Sequence, residues 1–361
     1  MRLSIVILLL IPAVSFATVT SVTQDGGVFT ISGSGFGTKA TAAPTNYTDS
    51  EGYTVGEWID DEDAFWTSRD NNEQADISDT NQRSSNSTRN IRAVMTRGTP
   101  NKAAHFWSNN IGSAATGKLF FSYWFKPNNP SPTDVICQIK AGRTPSAVEV
   151  DGDPVYPDLA FFTWKGTLAI NAWSQYIQNY NGSAGTNYFS ADYLDQDVWS
   201  QYTIEIELGS VGVADGAYKA WLRTPGTASS TLDLDAVQIH DSGNLINAVY
   251  FENYLECSGN SNPNYGATYY YDDIYIDTTW ARVVVGDNAT YSSCTHIEMQ
   301  IPVTWGANEI TATVNQGSFG DNAFLIVIPE SGIPEAGFSF NFGETISYTA
   351  EGISLNGVIL N

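Results

Sequence analysis

Short runs of alternating apolar and polar residues cover most of the chain and predict β-strands. In Trp199–Leu208, the apolar residues Ile204, Ile206 and Leu208 fall on one side, while Thr203, Glu205 and Glu207 fall on the other. This pattern predicts an antiparallel strand with one buried face and one solvated face. The runs are separated by Gly, Asn, Asp, Ser and Pro, and no long window repeats apolar residues at helical spacing. We therefore expect an all-β protein built from sandwiches.

The stretch from Tyr269 to Asp287 is predicted to join two such sandwiches. Its first half, Tyr269–Asp277, has the period of two that a strand requires. Its second half, Ala281–Val285, is another β-branched run after a short break. The chain has 361 residues, enough for about two domains.

The first 17 residues have the features of a secretory signal peptide. Arg2 supplies the positive start, Ile5–Val14 the apolar run, and Ser15-Phe16-Ala17 a small-x-small cleavage site. The apolar run is short for a membrane span, although an anchor stays an alternative. We expect an exported protein, secreted or held at the cell surface, without membrane insertion.

The charge excludes some partners. The chain carries 16 basic and 39 acidic residues, a formal net charge of −23. Such a field repels nucleic acid and anionic lipid, so neither is an expected partner. It favours divalent cations, although solubility alone explains most surface carboxylates.

The three cysteines are Cys137, Cys257 and Cys294, and an odd count leaves at least one thiol unpaired. Cys137 lies in the apolar run Val135–Ile139 and is expected to be a buried thiol. Cys257 and Cys294 lie in polar stretches on either side of the junction. A disulfide between them is expected to hold the two domains together.

The N-terminal segment contains a hairpin followed by a glycine-rich motif. Asp25-Gly26-Gly27 is a turn between two short strands, and Val28–Gly37 ends in a Gly-x-Gly-Phe-Gly run. This segment resembles the opening of an immunoglobulin-like domain of the IPT/TIG family, whose second strand ends in a similar turn. Trp305–Val314 is similar to a later strand of the same family. The resemblance implies one Ig-like domain split between residues 18–40 and 281–330, with a large domain inserted. The alternative is an N-terminal strand that packs on a separate C-terminal domain. Residues 331–361 form a tail with unassigned extra strands.

The insert, residues 46–277, contains four characteristic strand segments: Phe121–Lys126, Val198–Ile206, Asp215–Trp221 and Tyr271–Ile276. In their order, these segments resemble a concanavalin A-like, laminin G-like jelly roll. These motifs are specific for the fold and not for the function, because this sandwich hosts lectins, glycosidases, lyases and adhesion modules. The predicted fold is thus a concanavalin A-like jelly-roll sandwich plus a smaller Ig-like β-sandwich.

Four carboxylates are candidate calcium ligands. Asp49 and Glu51 begin the insert, while Asp272 and Asp273 close it. The resemblance implies that the first and last strands are neighbours and that a structural Ca²⁺ lies there, and oxygen ligands of this kind suit that ion. The alternative is a solvated strand end.

An aromatic and amide-rich segment is the candidate carbohydrate-binding surface. Rings can cover the apolar faces of a sugar, and amides can bond its hydroxyl groups. The alternative is that several of these rings belong to the core. The candidate residues are Trp164, Trp173, Tyr176, Tyr180 and Tyr188.

No complete catalytic motif is present. The Glu-x-Asp-x-x-Glu strand of sandwich glycosidases is missing. Arg92, Gln138 and Lys140 lie at places that loosely match the motifs of jelly-roll alginate lyases, with lysine where that family has histidine. The sequence therefore favours a carbohydrate-binding protein that acts on extracellular polysaccharide. The alternatives are a polysaccharide lyase for uronate-containing glycans and a structural or adhesive protein with protein partners at the surface.

Overall fold

The computed structural model describes residues 17–68, 75–95, 104–108, 111, 117–128, 136–148, 154–167, 175–176, 187–188, 197–237, 239–240, 245–257, 267–342, 347–349 and 352–354. For residues 95, 104, 136–143, 145–148, 154–167, 175–176, 187–188, 230, 252–257, 267, 347–349 and 352–354, only the backbone is described. Within these ranges no helix is long and apolar enough to cross a membrane.

The described chain is almost entirely β-structure, as predicted, with one short helix α1 at Ile59–Glu62 and a 3₁₀ turn at Tyr291–Ser293. The strands, in chain order, are β1 (Thr18–Asp25), β2 (Val28–Ser34), β3 (Asn46–Thr48), β4 (Trp66–Ser68), β5 (Ala75–Ser78), β6 (Asn90–Met95), β7 (Ala104–Ser108), β8 (Lys118–Asn128), β9 (Ile136–Val148), β10 (Pro154–Thr167), β11 (Gln175–Tyr176), β12 (Asn187–Tyr188), β13 (Ser200–Glu207), β14 (Gly216–Arg223), β15 (Ser230–Val237), β16 (Tyr250–Cys257), β17 (Ala267–Asp277), β18 (Arg282–Gly286), β19 (Ile297–Trp305), β20 (Glu309–Thr313), β21 (Asn322–Ile328), β22 (Phe338–Asn341), β23 (Ser347–Thr349) and β24 (Gly352–Ser354).

Strands from both ends of the chain share one sheet, in the order β1-β2-β20-β19-β18-β21-β22. The N-terminal hairpin turns at Gly26 and Gly27, whose positive φ angles suit a two-residue turn. Strand β2 then pairs antiparallel with β20, with Ile31 opposite Ile310. The N-terminal hairpin therefore belongs to the same sheet as the strands that follow Ala281. The two halves of this sheet pack on each other, and together they are called the second sandwich.

The core of this sheet comes from alternate residues of its strands. Phe29 and Ile31 pack with Ile310, Leu325 and Phe340 in one buried cluster. A glycine is required at position 33, because a Cβ there would lie 2.0 Å from the Thr18 carbonyl oxygen and 2.5 Å from the Phe36 ring. Strand β22, which lies in the predicted tail, pairs with β21 and adds Phe340 to the core.

The insert forms two packed antiparallel sheets. Sheet 1 has the order β15-β14-β13-β8-β17-β6-β5, with β3 beside β17, and sheet 2 has the order β12-β11-β10-β9-β16-β7-β4. Their inner faces share an aromatic core, in which the ring centroids of Phe106 and Phe251 lie 4.8 Å apart and those of Tyr123 and Phe251 lie 5.1 Å apart. Together the layers form the predicted jelly-roll sandwich.

The outer face of sheet 1 is partly covered by the sheet that contains the chain ends. Phe120, Trp221 and Tyr275 of sheet 1 pack with Val284 and Met299. Thr203 is fully buried, and the Glu205 carboxylate pairs with Arg282 at 2.7 Å. The expectation that Thr203, Glu205 and Glu207 face solvent is wrong for the first two, since the second sandwich covers that end of the face.

Candidate functional site

A buried ionic cluster lies where the two sandwiches meet, and it contains two of the predicted calcium ligands. Asp272 and Asp273 lie at an irregularity of β17 against β8, and Asp273 has a φ of 47°. Asp tolerates this left-handed conformation better than most residues. Both carboxylates bind Arg83: Nε lies 3.4 Å from Asp272 Oδ2, and Nη2 binds Asp273 Oδ2.

Arg83 also joins this cluster to the second sandwich. Its Nη1 lies 2.6 Å from Glu298 Oε1, its side chain is 4 % exposed, and its guanidinium carbon lies 4.7 Å from the centroid of the Trp124 ring. Neighbouring polar groups also form hydrogen bonds to these three carboxylates. The contacts are Tyr47 Oη to Asp273 Oδ1 at 2.6 Å, Asn315 Nδ2 to Asp273 Oδ2 at 3.1 Å, Ser87 Oγ to Asp272 Oδ2 at 2.9 Å, Trp124 Nε1 to Glu298 Oε2 at 3.2 Å and His296 Nε2 to Glu298 Oε1 at 2.8 Å.

The carboxylates of this cluster differ in acidity. Burial, followed by the neighbouring Asp273 charge, raises the pKa of Asp272 well above its ordinary value. Burial also raises the pKa of Asp273, although Arg83 opposes the shift. Burial alone would raise the pKa of Glu298, but the charge of Arg83 and the hydrogen bond from His296 lower it on balance. Burial and the Arg83 charge therefore act in opposite directions on the pKa values of the two aspartates.

Three of the four predicted calcium ligands, Asp49, Glu51 and Asp273, line one cavity, but each carboxylate already accepts hydrogen bonds from the protein. Glu51 accepts hydrogen bonds from the Thr88 backbone N–H at 2.9 Å and from the Thr88 hydroxyl at 2.6 Å. Asp49 Oδ1 accepts from the Glu51 N–H, while Arg83 lies between Asp272 and Asp273. In the part of the chain that the structure describes, no group of three or more His, Cys, Asp or Glu side chains could hold a metal ion. The Arg83 guanidinium bonds to both aspartates, and the predicted structural Ca²⁺ at these four residues stays a prediction.

A second candidate site lies on the outer face of sheet 2. Phe106 and Phe251 point into the core, so the alternation of β7 and β16 places His105, Trp107 and Tyr250 on the opposite face. The Tyr250 hydroxyl is hydrogen-bonded to His105 Nδ1, and the Trp107 and Tyr250 rings stack with centroids 5.6 Å apart. Trp107 and Tyr250 are buried and His105 is half-buried.

Basic residues occupy neighbouring register positions on the same face. Arg143 of β9 lies directly opposite Tyr250 of β16, and residues opposite each other in a sheet share a face. On β10, the alternate residues Phe161, Thr163 and Lys165 pair with Arg143, Lys140 and Gln138, which places these six residues on that face too. An acidic residue, Glu256, lies opposite Gln138.

The structure separates the three residues of the lyase hypothesis. Gln138 and Lys140 take adjacent positions on the outer face of sheet 2. Arg92 does not join them, because β6 belongs to sheet 1, where Arg92 Nε donates to Asp76 Oδ1 at 2.9 Å. Sequence reasoning missed His105 and Tyr250, although each stands next to a buried phenylalanine in an alternating strand.

The predicted carbohydrate-binding residues do not share one face of sheet 2 either. Tyr176 of β11 pairs with Phe161 and so takes an outer-face position. Trp164 and Tyr188 take positions of the other parity, toward the core side of sheet 2. Trp173 and Tyr180 lie outside the described residues.

The predicted disulfide between Cys257 and Cys294 is wrong, because Cys294 is a buried free thiol. Its Sγ donates to the Asn288 carbonyl oxygen at 3.3 Å, and burial raises its pKa to about 11. Cys257 lies at the end of β16 in sheet 2, where its register partner is Cys137. The backbone therefore places Cys257 in a different sandwich from Cys294.

Solved structures with a similar fold include carbohydrate-active enzymes and a lectin domain. The PL-14 alginate lyase from Aplysia kurodai matches with a TM-score of 0.50 and 12 % identity, over 66 % of this chain and 100 % of that chain. The endo-β-1,4-glucuronan lyase from Trichoderma reesei matches at 0.43 and 12 %, over 66 % and 97 %. The carbohydrate recognition domain of Emp47p matches at 0.39 and 14 %, over 67 % and 99 %. At these identities the likeness to the first structure establishes the jelly-roll fold alone. No family model and no curated protein matches the chain.

Proposed function

We propose that this protein binds an anionic, uronate-containing polysaccharide on the outer face of sheet 2, and that it does so outside the cell. The observation that carries the proposal is the hydrogen-bonded pair His105–Tyr250, stacked on Trp107, beside the register positions of Lys140 and Arg143. Cationic groups suit the carboxylates of such a ligand, and the half-buried His105 is partly open to it, whereas the buried Trp107 and Tyr250 rings hold His105 in place.

The charge distribution supports this choice of ligand. Only 16 of the 361 residues are basic, yet Lys140, Arg143 and Lys165 fall on one face of two adjacent strands. A net charge of −23 repels a polyanion at long range. A local group of cations on that face therefore points to short-range recognition of negative groups. The alginate and glucuronan lyases of similar fold act on polymers of this kind.

Titration of size-defined oligouronates into the full chain tests the proposal, with a neutral glucan of equal length as comparison. We expect saturable binding of the oligouronate alone, weakened at least tenfold by Arg143→Gln and by added salt. Arg92→Gln is the matched control, because that arginine pairs with Asp76 in the other sheet. Equal binding of the neutral glucan, or equal loss in the two variants, contradicts the proposal.

The His105–Tyr250 hydrogen bond favours a second candidate, a polysaccharide lyase. Elimination needs a base that removes the C5 proton, an acid that protonates the departing glycosidic oxygen, and a cation beside the carboxylate. Tyr250 and His105 can exchange protons, while Lys140 and Arg143 hold positions for the cation. The C4–O bond breaks and a C4=C5 double bond forms, so each cut yields one unsaturated chain end.

The lyase candidate predicts a different result for the same ligand. Wild-type protein should release unsaturated oligouronates, detected by their ultraviolet absorbance and by mass spectrometry. His105→Ala should slow this release by about 10²–10⁴-fold while binding falls far less. Binding without any unsaturated product refutes the lyase candidate and leaves the binding proposal intact.

A further inference from the structure

A cavity of about 560 Å³ lies between the outer face of sheet 1 and the second sandwich. Strands β13, β14 and β15 of sheet 1 line it on one side. Arg282, the 3₁₀ turn and residues 332–336, which follow β21, line it on the other. Small-molecule sites have volumes of roughly 300–1,000 Å³, so one monosaccharide fits this cavity. The cavity is separate from the outer face of sheet 2.

Five charged side chains line the cavity, and four of them form two ion pairs. Arg282 Nη2 lies 2.7 Å from Glu205 Oε1, and Lys219 Nζ lies 3.2 Å from Asp233 Oδ1. The fifth is Glu335, whose Oε1 has no hydrogen-bond partner among the described residues. When Glu335 is ionised, the lining therefore carries one negative charge that no lining cation balances.

Two polar atoms of these lining residues are buried without a hydrogen bond. Glu335 Oε1 is an acceptor without a donor, and Arg282 Nε is a donor without an acceptor. Arg282 is 1 % exposed, and its Nη1 and Nη2 already donate to the Trp280 carbonyl oxygen and to Glu205. Buried polar atoms without partners are destabilising, so a ligand that supplies both a donor and an acceptor is favoured here.

The uncharged part of the lining is mixed. Trp221, Ile333 and Pro334 supply apolar surface, and the Ile333 side chain is 56 % exposed. Thr290 and Ser292 also line the cavity and carry hydroxyl groups. Such a lining suits a ligand that presents apolar C–H groups together with several hydroxyl groups, as a sugar ring does.

We propose that this cavity binds one amino-sugar unit, whose ammonium group pairs with the Glu335 carboxylate and whose hydroxyl oxygen accepts a hydrogen bond from Arg282 Nε. The ammonium balances the unpaired charge of the lining, and the two contacts satisfy both unpartnered atoms. This second carbohydrate site prefers a cationic sugar, whereas the outer face of sheet 2 is proposed to prefer an anionic one. Neither proposal depends on the other.

Glu335 makes binding at this site depend on pH. Burial raises the pKa of Glu335 to about 7, so its carboxylate is mostly protonated at pH 5.5 and half ionised at pH 7. The amine of the sugar stays protonated over this range, so its affinity should rise with pH. The other titratable groups that face the cavity are Glu205 of β13, Lys219 of β14, Asp233 of β15, Arg282 of β18 and Tyr291 of the 3₁₀ turn. The first four form the two ion pairs, so Glu335 is the charge left for the ligand.

An NMR titration of the full chain with methyl glucosaminide tests the proposal. Methyl N-acetylglucosaminide is the matched ligand, because it keeps the ring and lacks the charge. Both ligands are titrated at pH 5.5 and pH 7 into wild type, into Glu335→Gln and into the control Glu330→Gln. Glu330 is an exposed carboxylate outside the lining of the cavity.

We expect the amino sugar to bind wild type at pH 7, with an affinity at least about tenfold lower at pH 5.5. Glu335→Gln should weaken binding at pH 7 at least about tenfold and remove the pH dependence, while Glu330→Gln should keep both. Absence of binding, equal affinity for the N-acetylated sugar, or an affinity in wild type that does not change with pH overturns the proposal.

Arg143→Gln separates this proposal from the polyuronate proposal. Arg143 belongs to β9 in sheet 2, so its replacement should leave the affinity for the amino sugar unchanged while it weakens the binding of oligouronates. A loss of amino-sugar binding in Arg143→Gln would assign the sugar to sheet 2 and overturn the proposal for the cavity.

Discussion

Replacement of Arg83 by glutamine is the sharpest test of how the two sandwiches are held together. Arg83 binds Asp272 and Asp273 of the jelly roll and Glu298 of the second sandwich, with its side chain 4 % exposed. Glutamine keeps hydrogen-bonding capacity but removes the charge. Three buried carboxylates then face each other without a cation.

The size of the expected stability loss follows from the burial of Arg83 and its three carboxylate partners. Removal of one partner from a buried ion pair costs about 3–5 kcal/mol, because an uncompensated charge stays behind. Arg83 serves three carboxylates, two of which already have raised pKa values and can take up protons. Proton uptake by these aspartates limits the loss of stability. We therefore expect Arg83→Gln to lower the free energy of unfolding by about 3–5 kcal/mol at pH 8 and by less at pH 5.

Arg92→Gln is the matched control. Arg92 has one carboxylate partner, Asp76, and a side chain that is 35 % exposed. Exposed or half-exposed pairs contribute about 0–1 kcal/mol, so the control should lose little. Urea unfolding measures both variants, and the fluorescence of Trp124, which lies against the Arg83 guanidinium, reports on the interface. Equal losses in the two variants, or no loss for Arg83→Gln, would refute the reasoning.

Three further predictions follow from the same structure. Because the folded pKa of Asp272 is raised, its stabilising contribution is complete at low pH and is lost as the pH rises through that folded pKa. In the Asp272→Asn variant, the free energy of unfolding should fall less steeply as the pH rises from 5 to 9, by up to about 1.4 kcal/mol per pH unit. Urea unfolding at each pH measures this slope, and a slope equal to that of the wild type contradicts the prediction. Phe29→Ala should lower the free energy of unfolding by about 3–5 kcal/mol, because Phe29 is fully buried. Val28→Ala, at the neighbouring exposed position, should lower it far less, and equal unfolding free energies for the two variants would show that Phe29 is not part of the core. Non-reducing peptide mapping should find Cys294 as a free thiol that native protein shields from alkylation at pH 8, and a Cys257–Cys294 peptide would disprove this.

The sequence was sufficient for the strands that alternate and insufficient for the contacts between distant loops. Tyr269–Asp277 alternates, and it lies within strand β17, close to the predicted bounds. Glycines at positions 26, 27 and 33 indicate the N-terminal hairpin because their backbone geometry demands them. Local patterns of this kind depend only on neighbouring residues.

The ionic cluster at the interface was not predictable in the same way. Asp272 and Asp273 stand out in the sequence, but their partner Arg83 lies 189 residues before Asp272 in a stretch of Ser, Asn and Thr. No period or motif connects them, so the aspartates were assigned to calcium. Glu298 alternates with apolar residues in the run Ile297–Ile301, as an ordinary half-exposed strand would, so it gave no separate signal of a buried charge.

The residues on the outer face of sheet 2 could likewise be predicted only in part. Gln138 and Lys140 were identified from a motif, but Arg92 was grouped with them only by that analogy. The sheet order separates Arg92 and adds Arg143 in its stead. Strand order depends on long-range pairing, which one-dimensional spacing does not encode.

The most direct test of the account is the affinity of an oligouronate for wild-type protein, for His105→Ala and Arg143→Gln, and for the control Arg92→Gln, measured by calorimetry at two salt concentrations. We expect saturable, salt-sensitive binding that the first two variants weaken at least tenfold and the control leaves unchanged. Absence of binding to every polyuronate, or binding that none of these variants alters, would contradict it.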